Sequence, residues 1–201
     1  MKKQALVFVF LLVTSINYAQ KPKTIEGKTK DLKGITSYNL EFDYSDVQIP
    51  KYDSEEEFLK DKMAKREEKE AGTGEKFKES WFADRENRYE PKFIESFNKR
   101  FTDGEMKADK EMTEAKYTIK IHTTKLYAGY NVGVWRQNAE IDAVLTVYET
   151  ENPSTVLWSG KYAKVQGYGA MGNDYNSGYR ISECYAKLAK EFTKLLKKAS
   201  K

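Results

Sequence analysis

Gly167, Gly169 and Gly172, in the stretch GYGAMG, match the G-x-G-x-x-G spacing of a dinucleotide-binding turn. In that chemistry the glycines turn a strand into a helix whose N-terminus faces a pyrophosphate. Here six residues, NDYNSG, stand between Gly172 and the next helical pattern. A Rossmann unit also needs a second parallel strand bearing an acid about 20 residues further on. The 29 residues after Gly172 read as one helix, and Glu191, near the right distance, falls mid-helix among lysines. The match reads as accidental, and no cofactor is expected.

The other residues capable of chemistry are sparse. His122 is the sole histidine, expected on the polar face of a strand beside Lys120. Without a second histidine, neither a Ser-His-Asp arrangement nor a histidine-based zinc site is complete. Glu140 and Asp142 share a strand face, as a glycoside-cleaving acid/base pair would. In a chain that is 33% charged such pairs arise by chance. DYNSG at 174–178 begins like a calcium loop, but its twelfth position is Tyr185 where the loop needs Glu. The expectation is a protein that is not an enzyme and holds no metal.

The elements that position these residues follow from periodicity. In ITSYNLEFDYSDVQI, Tyr38, Leu40, Phe42 and Tyr44 alternate with Asn39, Glu41 and Asp43, a half-buried strand that Pro50 stops. SEEEFLKDKMAKREEKEAG reads as a charged helix with Ser54 as N-cap. Its only large apolar residues are Phe58, Leu59 and Met63, so its second half projects into solvent. Phe77, Trp81, Tyr89, Phe93, Phe97 and Phe101, mostly four apart, form an aromatic stripe read as core, with a kink or fresh start at Pro91. From Ala115 the period becomes two. KYTIKIHTTKLY, AEIDAVLTVYE and TVLWSGKYAKV form a meander of three strands, with Gly160 as a bulge candidate. Ile181, Cys184, Tyr185, Leu188, Phe192 and Leu195 then give one apolar face of a closing helix, which places the lone cysteine in the core. The fold class is α+β: a mostly antiparallel four-strand sheet, one early strand plus a three-strand meander, with helices on one face.

MKKQALVFVFLLVTSINYAQ has a basic start at Lys2 and Lys3, an apolar run from Ala5 to Val13 and a small residue, Ala19, at the exit. This is the layout of a secretory signal peptide, 1–19, whose apolar run falls short of the roughly 20 residues a bilayer span requires. Residues 20–34 read as a polar linker, and 35–201 as a single α+β domain with a charged helical insertion at about 55–101. With the two leader lysines removed, the net charge of +4 becomes +2. That balance does not suit a nucleic-acid binder. The lysines of the last helix suit the negative end of its dipole better than a membrane surface.

Alternating strand direction carries the segments 126–136 and 167–179 to one end of the sheet. Tyr127, Tyr130, Trp135, Arg136, Tyr168, Asn173, Asp174, Tyr175 and Tyr179 form a candidate binding surface there, aromatic rings beside flexible backbone.

The AQ junction after the leader resembles those of exported Bacteroidetes proteins. The stretch from AKYTIKIHTTKLY through VLTVYETENPSTVLWSG to YRISECYAKLAKEF, roughly residues 114 to 197, is similar to the small α+β domains of curli-secretion-type lipoproteins. It is also similar to the amino-terminal domain of the Tol system's propeller protein and to envelope lipoproteins of unknown function. The chain departs from these in lacking a lipobox cysteine and in carrying the helices at 55–101. The resemblance implies non-catalytic work in the periplasm or outside the cell, and carries over no functional residues. The expected function is binding of another envelope component, a protein or a glycan; the alternative is a small glycan- or ligand-binding module.

Overall fold

A computed structural model describes residues 21–132, 134–167 and 176–201. The class is α+β, but the sheet is not the expected one. It has six strands in the order β1-β8-β7-β4-β2-β3, and a separate two-stranded hairpin, β5–β6, stands beside it. The main strands are β1 (Lys23–Gly27), β2 (Ser37–Asp43), β3 (Lys107–Asp109), β4 (Tyr117–Tyr127), β7 (Glu140–Glu149) and β8 (Asn152–Gln166). The hairpin is β5 (Tyr130–Val132) and β6 (Trp135–Gln137). Pairing is mixed: β4–β7, β7–β8 and β1–β8 are antiparallel, whereas β2 is parallel to both β4 and β3.

The parallel pair has a physical cause. Parallel neighbours need a crossover long enough to return the chain to its starting end. The helices α1 (Glu55–Glu67), α2 (Thr73–Asp84) and α3 (Glu90–Asn98) provide it between β2 and β4. The segment read as an insertion is therefore the connection that sets the sheet's topology. Residues 20–34, read as a linker, hold edge strand β1, and buried Leu32 anchors the 3-10 turn after it. All five β1 residues are exposed, so the strand carries no alternation to read.

Helices α3 and α4 (Ser177–Ala199) lie on one face. α4 crosses β7 and β8, with α3 packed beside it. Tyr38, Ile121, Leu145 and Trp158 from the sheet meet Tyr185, Leu188 and Phe192 from α4, all fully buried. Trp158 stacks on Phe192 at 5.7 Å between centroids, and Tyr89 on Tyr185 at 5.3 Å. Gly160 pairs regularly with Leu145 on one side, while on the other the expected irregularity is present in the partner strand: β1 bulges at Ile25, between the pairs Thr24–Gly160 and Glu26–Ser159. A Cβ at Gly160 would lie 2.5 Å from the Trp158 ring. Pro91 sits in the first turn of α3, immediately after a π-helical turn at Arg85–Tyr89. A wider turn accommodates a residue that cannot donate to the preceding one.

The opposite face of the sheet is an ion-pair ladder. Lys120 lies 2.9 Å from both Glu41 and Asp43, Lys125 joins Glu140 and Asp142 at 2.7 and 3.1 Å, and His122 pairs with Asp46.

Candidate functional site

β4 and β8 run in the same direction because both are antiparallel to β7, so Tyr127, Glu140 and Gln166 form one row across an end of the sheet. At that end the chain leaves β4 through Ala128 and Gly129 into the hairpin. Gly129 has φ +62°, and a Cβ on it would overlap the Gln137 carbonyl, so glycine is needed for this exit. Arg180, from the first turn of α4, donates to the Ala128 carbonyl at 3.0 Å and to Gly129 at 3.4 Å. The helix start thereby fixes the base of the hairpin.

The expected binding residues divide into three groups. Tyr130 and Trp135 are exposed on the hairpin, at 41% and 70%, with Val132 and Val134 at 64% and 95%. Arg136 is exposed there too, opposite Asn131. Tyr127 is half-buried and donates its hydroxyl to Gln137 at 2.9 Å, while Tyr179 is 40% exposed with the Arg88 guanidinium 4.5 Å from its ring centre. Tyr168, Asn173, Asp174 and Tyr175 lie outside the described residues.

Of the three motif glycines, Gly167 is described. Its amide donates to Cys184 Sγ at 3.3 Å, and a Cβ would lie 2.6 Å from the Cys184 backbone nitrogen. Glycine here lets the end of β8 lie against the backbone of α4. Cys184 is fully buried, and burial pushes its thiol up to about 12, so the thiolate nucleophile is suppressed. Burial also works against the charge of Glu140. Hydrogen bonds from Lys125 and Gln166, with the Lys125 charge, outweigh it and hold the carboxyl below its ordinary range. A general acid for glycoside cleavage needs the opposite shift. Among the described residues no group of three or more His, Cys, Asp or Glu could hold a metal ion.

Beside the hairpin lies a feature absent from the sequence reading: a cleft of about 330 Å³ built from five separated parts of the chain. They are the turn at 49–52, α1, α2, the β4–β5 connection and the first turn of α4. The α1–α2 hairpin exists because Ser54 caps α1 by accepting from the Glu57 amide, and Gly72, at φ +79°, turns the chain back. This sets Phe58 against Trp81 at 4.7 Å and lays Arg66 over Phe77 at 3.8 Å. Trp81 is held in place by its indole N–H donating to Glu55 at 2.7 Å, and Arg85 clasps the same carboxylate. Tyr130, the first residue of the hairpin, also lines the cleft, so the two adjoin there, while Val134 and Trp135 are not among the cleft's described lining residues. A larger groove, about 450 Å³, lies between the chain around β1 and the end of α4, but no aromatic among the described residues lines it.

No family model matches this chain, and no curated protein or solved structure is significantly similar to it. Among the described residues no helix is long and apolar enough to cross a membrane.

Proposed function

We propose that the chain is a non-enzymatic envelope protein, periplasmic or secreted, that binds another envelope protein through the β5–β6 hairpin and the surface around it. The observation that carries this reading is the exposure of Val132, Val134 and Trp135 together on a hairpin whose strands are three residues long. So short a two-stranded ribbon has no hydrophobic face of its own to bury these side chains. Contiguous exposed apolar side chains characterise interaction sites, and Trp and Tyr dominate binding energy at them. The leader and the resemblance of residues 114–197 to envelope domains support the compartment.

The test is a photo-crosslinking amino acid at Trp135 in the native cell, with the same group at Glu151 as control, on the turn at the opposite end of β7 and β8. The expected result is one protein adduct from position 135 that position 151 does not give. Identical patterns from both positions, or none from either, would defeat the reading. A second reading, a small glycan- or ligand-binding module, is favoured by the cleft, whose volume lies within the range of small-molecule sites.

A further inference from the structure

The cleft is electrostatically one-sided. Among the described residues its lining contributes four cations, Lys51, Lys62, Arg66 and Arg180, and no carboxylate. Two of the four are committed elsewhere: Arg180 donates to backbone carbonyls, and Lys62 lies 3.3 Å from Asp61. Arg66 donates to the Lys62 carbonyl at 3.1 Å, and its guanidinium carbon lies 3.8 Å from the Phe77 ring centre. Among the described residues neither Arg66 nor Lys51 has a carboxylate within ion-pair distance. Arg66 is also half-buried, and burial pulls its guanidinium below its ordinary pKa. A partly desolvated cation without a counter-ion is relieved by an anion brought to it.

Lys51 adds an independent observation. It occupies the third position of a turn closed by the Tyr52 amide on the Ile49 carbonyl, with Pro50 second, and its φ is +76°. That position ordinarily takes glycine, since a Cβ is strained there. The strain sits at the rim of the cleft, on an exposed cation. Tyr52, Phe58, Phe77 and Tyr130 supply the apolar walls.

We infer that the cleft binds a small organic anion, a flat apolar body carrying a carboxylate, phosphate or sulfonate, with Arg66 and Lys51 holding the anionic group and the aromatic walls holding the body. The inference rests on the second reading above, that of a ligand-binding module, and names its ligand class. A macromolecular occupant is disfavoured by the cleft's volume, which sits at the lower end of small-ligand sites.

The probe is 8-anilinonaphthalene-1-sulfonate, titrated into the purified folded chain by fluorescence, against N-phenyl-1-naphthylamine, which has the same rings without the sulfonate. The sulfonate is expected to bind saturably at one site and at least about tenfold more tightly than its neutral counterpart, as one charge-assisted hydrogen bond supplies. Arg66→Met, which keeps an unbranched stem over Phe77, is expected to weaken it by at least about tenfold. Arg66→Lys should restore part of that loss. Lys51→Gly should weaken binding while relieving the strained turn, which separates a lost contact from a damaged fold. Val134→Ser with Trp135→Ser should leave the affinity within about twofold, because the hairpin tip is not part of the cleft. Equal affinity of the two dyes, or wild-type affinity in folded Arg66→Met, overturns the anion inference while leaving a ligand site. Loss of binding in the hairpin variant overturns it by placing the dye on the hairpin. No saturable binding of either dye overturns both the inference and the ligand-module reading.

Discussion

Single residues in this protein carry opposite local preferences, and two substitutions expose them. Gly178 lies in the first turn of α4, where Gly→Ala ordinarily stabilises a helix by up to about 1 kcal/mol. Here a Cβ would overlap Asp84 Oδ2, and Asp84 is buried and bound to Arg88, so it has little room to move. Gly178→Ala is therefore expected to destabilise by about 1–3 kcal/mol, the cost of overpacking, as read from the midpoint of urea unfolding. Lys51 is the reverse case. Lys51→Gly relieves a left-handed backbone but loosens the unfolded chain, and the balance is expected to stabilise by about 0.5–1 kcal/mol in the same assay. A site that is stabilised by losing its lysine is one where the lysine serves something other than the fold.

At the scale of elements, the open face of the sheet ties β2 to β4 and β7 by charge. Burial works against Asp43, but Lys120 and the Ser45 amide, donating at 3.0 Å, outweigh it and hold the carboxyl well below the usual range. Glu41 is likewise lowered: burial opposes its charge, while the Tyr148 hydroxyl at 2.6 Å and Lys120 at 2.9 Å prevail. A carboxyl with a depressed folded-state pKa adds stability that is present above its unfolded value, near 4, and is lost as pH falls through the folded value. Stability should therefore decline on acidification below about pH 5, and the decline should be shallower in Lys120→Met. Denaturant unfolding across pH checks both. The hairpin is the contrasting element. Val134→Ser with Trp135→Ser should leave stability within about 0.5 kcal/mol, because these side chains bury little. A photo-crosslinking amino acid placed instead at neighbouring Tyr130 should give a protein adduct that this double variant abolishes.

For the molecule as a whole, the helices at 55–101 join the sheet's two halves, and α4 seals the core that both halves share. Cys184 lies at the centre of that seal, fully buried between the end of β8 and its own helix. Its thiol should resist a disulfide reagent in the native protein and react promptly in denaturant, with a native labelling rate that follows global unfolding. Fast native labelling would mean that α4 opens on its own.

The sequence alone determined those features that arise from burial on one side of a single element. Alternation marked β2, β4, β7 and most of β8, because each has one face against helices and one against water. The 3-4-7 spacing likewise marked α4 and placed Cys184 in the core. Tertiary structure alone decided who neighbours whom. β1 and β3 are a wholly exposed strand and a strand of three residues, too featureless to announce themselves, and only pairing makes them part of the sheet. The parallel register of β2 with β4 depends on a crossover whose sequence records helices but not their destination. The aromatic end was readable in Tyr130 and Trp135, which sit on one short segment. The cleft was not, because Lys51, Arg66, Phe77 and Arg180 come from four parts of the chain that share no local pattern. Periodicity records which way a side chain faces; a site is made by what the fold brings to face it.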